Sequence, residues 1–107
     1  MTRLAALLLV LFASAGAVAE PLHVAVATNF APTCRAIADA FSAATKHEVV
    51  ISEGSTGKLF AQIENGAPFE VFLSADAARP RQLEERGHSV MGSRFAYALG
   101  RLALWST

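Results

Sequence analysis

The feature that most constrains this chain is an apolar run that ends in small hydroxyl residues and opens a helix. Val49-Val50-Ile51 leads towards Gly54-Ser55-Thr56-Gly57-Lys58, and a helical pattern, Leu59, Phe60 and Ile63, follows. The first turn of a helix has backbone N–H groups without partners, and the aligned peptide dipoles put partial positive charge there. Such a turn can therefore hold an anion. Gly54 and Gly57 let backbone approach a ligand, and Ser55 and Thr56 add hydroxyl donors. A nucleotide-binding P-loop needs a Gly five residues before the Gly-Lys pair and a Ser or Thr after the Lys. Ser52 and Leu59 occupy those two positions, so the motif fails twice. Taken alone, the stretch reads equally well as an N-capped helix with no ligand.

The same grammar recurs along the chain. Residues 22–27 form a short apolar run, followed by Thr28-Asn29 and then Phe30, Ala31 and Pro32. Proline favours the first turn of a helix, which places a helix from about Ala31 to Thr45. Cys34, Ile37, Ala38 and Phe41 fall on one face of it, at i, i+3, i+4 and i+7. That spacing puts Cys34 in packing against the Val24 and Val26 face of the first strand. The second helix runs from about Gly57 to Glu64 and stops at Asn65-Gly66, with Pro68 just beyond. Val71-Phe72-Leu73 is a third strand, trailed by Ser74-Ala75-Asp76. A polar helix is expected at 77–86, with Glu84, Glu85 and Arg86 as a solvated face. The apolar residues 95–105 read as a fourth extended segment, with Gly100 as a bulge or crossing point.

Alternating strands and helices make an α/β domain with a parallel sheet and covered faces. The C-terminal ends of parallel strands share one edge, where ligands of open α/β sheets bind. Two helix starts converging on that edge, after Thr28-Asn29 and at Ser55-Thr56, form a stronger anion-binding pattern than either alone.

Composition narrows the function classes. The chain has 107 residues, enough for one domain, with nine Lys and Arg against nine Asp and Glu. That balance gives no basic footprint for nucleic acid. Met1-Thr2-Arg3, an apolar run over 4–13 and Ala17-Val18-Ala19 have the form of a signal peptide over 1–19, cleaved before Glu20. The implied location is the periplasm, and the run is too short for a stable membrane anchor. Cys34 is the single cysteine, which excludes an intramolecular disulfide. His23, His47 and His88 have no ligand-like spacing, and no base–nucleophile pair stands out, so neither a protein-ligated metal nor an enzyme is indicated.

Five stretches together carry a resemblance. They are Val26-Ala27-Thr28-Asn29-Phe30, Gly54-Ser55-Thr56-Gly57-Lys58, Gln62-Ile63-Glu64-Asn65-Gly66-Ala67-Pro68-Phe69, Phe72-Leu73-Ser74-Ala75-Asp76 and Gly92-Ser93-Arg94-Phe95. With Gly100-Arg101-Leu102-Ala103-Leu104-Trp105-Ser106, they resemble the molybdate-binding periplasmic proteins of ABC importers. The resemblance runs in order through the whole segment after the signal peptide. It implies a type II periplasmic-binding fold, in which two α/β lobes joined by crossover strands close on an oxyanion. It also implies no cofactor, no catalysis and a monomer. The cargo would be molybdate or tungstate, handed to a membrane permease driven by an ATPase. The first-lobe contacts would fall at Thr28, Asn29, Ser55 and Thr56.

Members of that family are more than twice as long. Residues 20–107 are therefore expected to be a first lobe, incomplete at the crossover to a second, from a fragment or from a truncated gene. Two other readings remain, a nonfunctional fragment and a different α/β enzyme or nucleotide-binding module. Molybdate at neutral pH is a fully deprotonated dianion and offers only acceptors, and the four candidate residues and two helix starts can all donate. On this reading Asp76 caps the helix after it and Lys58 faces solvent. The direction of Glu53 is left open by strand alternation.

Overall fold

The computed structural model describes residues 19–107. The expected signal peptide, all but its last residue, lies outside the described residues. Three parallel strands form one sheet in the order β2-β1-β3. Strand β1 (Leu22–Ala27) is central, between β2 (Val49–Gly54) and β3 (Val71–Leu73). Leu22 pairs with Val49 and Ala27 with Gly54 on one side, and Val24 with Val71 and Val26 with Leu73 on the other. A 3-10 turn, Thr28–Phe30, leads from β1 into helix α1 (Ala31–Thr45). Helix α2 (Thr56–Glu64) joins β2 to β3, and α3 (Ala78–Glu85) follows β3.

The central strand is apolar because both its faces are covered. Val24, Ala25, Val26 and Ala27 are all buried. Alternation sends Val24 and Val26 to one face, where Ala31 and Cys34 of α1 pack on them. Ala25 and Ala27 point to the other face, and their small side chains let a helix lie close. The connection from β2 to β3 carries α2, which packs against β1 and β2, and the right-handed rule for parallel crossovers puts it on that second face. Leu59 of α2, 2% exposed, and Val26 are the largest fully buried side chains.

Each helix stops for a local reason. Lys46 takes a left-handed conformation after α1, and its N–H donates to the Ser42 carbonyl. Gly66 has φ of 91° after α2. That backbone suits glycine, and it lets the Ala67 N–H reach the Gln62 carbonyl at 2.9 Å.

Three expectations need correction. Residues 95–107 form no strand, and Leu99, Leu102, Leu104 and Trp105 are almost wholly exposed. A strand exists only where a neighbour accepts its ladder, and β3 is just three residues long. Gly100 accordingly makes neither a bulge nor a crossing, with no atom within 4 Å of a built Cβ. The apolar stripe of α1 is only half covered: Cys34 is buried, but Ile37 is 57% exposed and Phe41 40%. With Leu22, Val49 and Leu73 the stripe lines a shallow apolar groove. Of the supposed solvated face on α3, Glu84 is largely enclosed, 4.0 Å from Arg94. Arg86 pairs with Glu64 and lies over the Phe60 ring.

Candidate functional site

The sheet register brings the candidate residues together. Ala27 and Gly54 are opposite one another, one strand spacing of about 4.8 Å apart, so Thr28 and Ser55 leave the sheet from adjacent strand ends. Leu73 pairs with Val26, which brings Ser74 to the same edge from the other side. The chain passes from β1 outward to β2, then back across to β3. Its topological switch therefore falls between β1 and β3, where open α/β sheets form a crevice.

Thr28, Asn29 and Ser55 are exposed at this edge. Thr28 and Asn29 occupy the 3-10 turn, so α1 begins after Phe30 without a side-chain cap. Their side chains are thus not spent on closing the helix. Ser55 is the N-cap of α2, its hydroxyl accepting the Lys58 N–H at 3.4 Å. Helix α2 starts one residue earlier than its sequence pattern suggests, so Thr56 is its first helical residue. Thr56 is buried, and its Oγ1 accepts the Ala75 N–H at 3.0 Å. This bond ties the start of α2 to the loop after β3.

That loop is itself held from several directions. The Ser74 hydroxyl accepts the Asp76 N–H at 3.1 Å. Asp76 Oδ1 accepts the Arg79 N–H at 2.9 Å, so the carboxylate does cap α3. Its Oδ2 takes the Arg79 Nη1 at 2.6 Å. Partial burial raises the acid's pKa, but the bonds from Arg79 and Ser74 and the Arg79 charge outweigh it and hold the carboxyl below the usual range. Arg79 also sits over Gly57, with Nη2 3.3 Å from a Cβ built there. Lys58 is exposed, and Glu53 turns to Arg35 of α1 at 3.2 Å.

Two contributors were missed in the sequence. Arg79 follows Asp76 by three residues, a helical pairing distance that could have suggested it. Tyr97 had no signal, since it reaches back across the fold to donate its O–H to the Ser74 carbonyl at 2.9 Å. Its ring also packs on Phe30, centroids 4.9 Å apart, next to Asn29.

The fold and these loops define a small α/β lobe that presents hydroxyl, amide and helix-start donors along one sheet edge, the form of a ligand-binding lobe. Residues 22–107 match the family described as bacterial extracellular solute-binding protein, and the chain belongs to that family. It is 52% identical over 96 residues to the molybdate-binding protein ModA of Azotobacter vinelandii, across 90% of this chain and 38% of that one. To ModA of Rhodobacter capsulatus it is 46% identical over 101 residues, 94% of this chain and 40% of that one. The solved periplasmic molybdate-binding protein of A. vinelandii superposes with a TM-score of 0.70 at 50% identity, over 71% of this chain and 33% of that one. The substrate-binding domain of a putative molybdenum ABC transporter from Clostridium difficile gives 0.59 at 25% identity, over 62% and 29%. These structural likenesses bear out the type II α/β reading. The chain spans about two fifths of the length of the curated relatives it matches.

Proposed function

We propose that this chain is the first lobe of a periplasmic receptor that captures molybdate, with tungstate as the second ion, and delivers it to an ABC importer. The observation that carries this reading is the 52% identity to a molybdate-binding protein over nearly the whole chain. The edge chemistry supports it. Thr28, Asn29, Ser55, Thr56 and two helix starts form a cradle of donors, and Asp76, the one acid among the three strand-end loops, is engaged by Arg79. A fully deprotonated dianion is met by dipoles without an ion pair. The work is capture and delivery rather than catalysis, and it uses no cofactor. A signal peptide cleaved after Ala19 would place the lobe in the periplasm.

One lobe encloses only half of an ion. Each hydrogen bond to a charged group contributes about 1.5–3 kcal/mol net, and in a half-open, wet site a few of these are largely offset by the entropy of capture and by desolvation of the dianion. The expected dissociation constant of this chain alone is millimolar or weaker, on the order of −4 kcal/mol. The test is an amide NMR titration of the exported chain with sodium molybdate, alongside ATP. Shifts confined to the strand-end loops, with molybdate and not with ATP, support the reading. Loop shifts with ATP alone, or no molybdate shift at tens of millimolar, defeat it.

A further inference from the structure

Two apolar surfaces of this chain have no cover among the described residues. The first is the groove between α1 and β3, walled by Leu22, Val24, Ile37, Phe41, Val71 and Leu73. It stays open because α1 packs on β2 and β1, while β3 is the edge strand on the far side of the sheet. The second is the tail after Tyr97. Trp105 is 82% exposed and Leu99 92%, and Leu102 and Leu104 are wholly exposed. Contiguous apolar surface on this scale marks a docking site.

The two surfaces meet at Tyr97. Its ring packs on Phe30, which lies against the Val24 and Cys34 cluster that floors the groove. The tail therefore departs from one end of the groove, and its exposed leucines face away from their own lobe. Charge agrees with a fit between copies. Arg101 is the one charged residue in 95–107. The groove continues, past Leu22 and Phe41, into a hollow edged by Glu20 and Glu70. The area is sufficient as well. A tryptophan buries about 150–250 Å² and a leucine on the order of 100 Å². Two exchanged tails, with the grooves they cover, reach the roughly 1,200–2,000 Å² of a specific interface.

We propose that two copies of this chain pair by reciprocal exchange, each laying residues 99–105 into the α1–β3 groove of the other. Such an exchange is self-complementary, so every groove is filled at two copies and growth stops there. The dimer departs from the monomer that the family resemblance implies, and it does not rest on the oxyanion reading.

The test is light scattering and sedimentation equilibrium on the exported chain across the micromolar range. The mass is expected to double with concentration. Leu104→Asp and Ile37→Asp, both at exposed positions, should leave the circular dichroism unchanged and each raise the dimer dissociation constant about tenfold or more. An equal mixture of the two variants should recover pairing, because the tail of the Ile37→Asp copy still fits the groove of the Leu104→Asp copy. Recovery in the mixture, with neither variant pairing alone, supports exchange. A mass that stays single, or that runs beyond two copies, overturns it. A dimer that keeps its strength in either variant, or a mixture that recovers nothing, overturns it too.

Discussion

Leu59→Ala tests the link between the core and the strand-end edge that carries the candidate site. Helix α2 has nine residues, too few to persist alone in water. Thr56 and Leu59 are its two buried residues, and Leu59 is the large apolar one. Truncating a buried leucine to alanine costs about 2–5 kcal/mol, the spread depending on how far the cavity collapses. Native domains hold about 0.05–0.15 kcal/mol per residue, so a lobe of this size has roughly 4–13 kcal/mol in all. Each kcal/mol moves the melting temperature of such a domain by about 4–8 °C. The expected fall is therefore at least ~8 °C, read by circular dichroism, with the denaturant slope unchanged. Gly54 supplies an internal control. A Cβ added there would lie 3.5 Å from Leu59 Cδ2, in ordinary contact. Gly54→Ala is thus expected to be mild alone and to restore part of the loss in the double variant, with a coupling of about 0.5 kcal/mol or more. A melting shift below about 4 °C for Leu59→Ala, or strict additivity with Gly54→Ala, would refute the packing assigned to α2.

Other outcomes follow from single contacts. Cys34 is 5% exposed, and burial raises its thiol pKa despite the opposing Arg35 charge, so thiol reagents should label the native chain slowly and the urea-unfolded chain fast. Cys34→Ala is expected to cost about 1 kcal/mol in a urea melt. Asp76 has a folded pKa below its unfolded value, so its stabilisation is present above about pH 4 and disappears as pH falls through the folded value. Wild type should exceed Asp76→Asn in stability at pH 7 and lose that advantage as pH falls through the lowered folded value, and a pH-independent gap would be inconsistent with the cap. Asn29→Ala is expected to weaken molybdate binding by roughly 1–3 kcal/mol in the NMR titration, and exposed Lys58→Ala by much less. A larger loss at Lys58 would replace the dipole mechanism with an ion pair.

Local chemistry was legible in the sequence wherever it was decided locally. The bounds of β1 and α1 follow from an apolar run, Pro32 and the next polar break, and they match the structure. The cap at Asp76 and the solvent-facing Lys58 follow from position in a helix turn. What the sequence did not carry was set by partners distant in the chain. Residues 95–105 have strand composition but no ladder neighbour among the described residues, so composition alone misleads there. The stripe on α1 has the period of a buried face, yet period does not say what covers Ile37 and Phe41. Within the candidate site, Thr28, Asn29, Ser55 and Thr56 could be placed at one edge from strand order. The Ala75 bond to Thr56 spans 19 residues and that of Tyr97 to Ser74 spans 23, so neither could be read from spacing.

The central position of β1 also governs how the lobe can fold. Its first partner, β2, pairs Leu22 with Val49, and its second pairs Val24 with Val71. No ladder bond in the sheet joins residues close in sequence, so a nascent chain must carry an apolar, unpaired β1 until β2 has emerged. Loop closure has to precede any gain from pairing, and parallel topologies of this kind acquire structure slowly. The arrangement that gathers the strand-end turns at one edge also postpones their assembly until much of the lobe has been made.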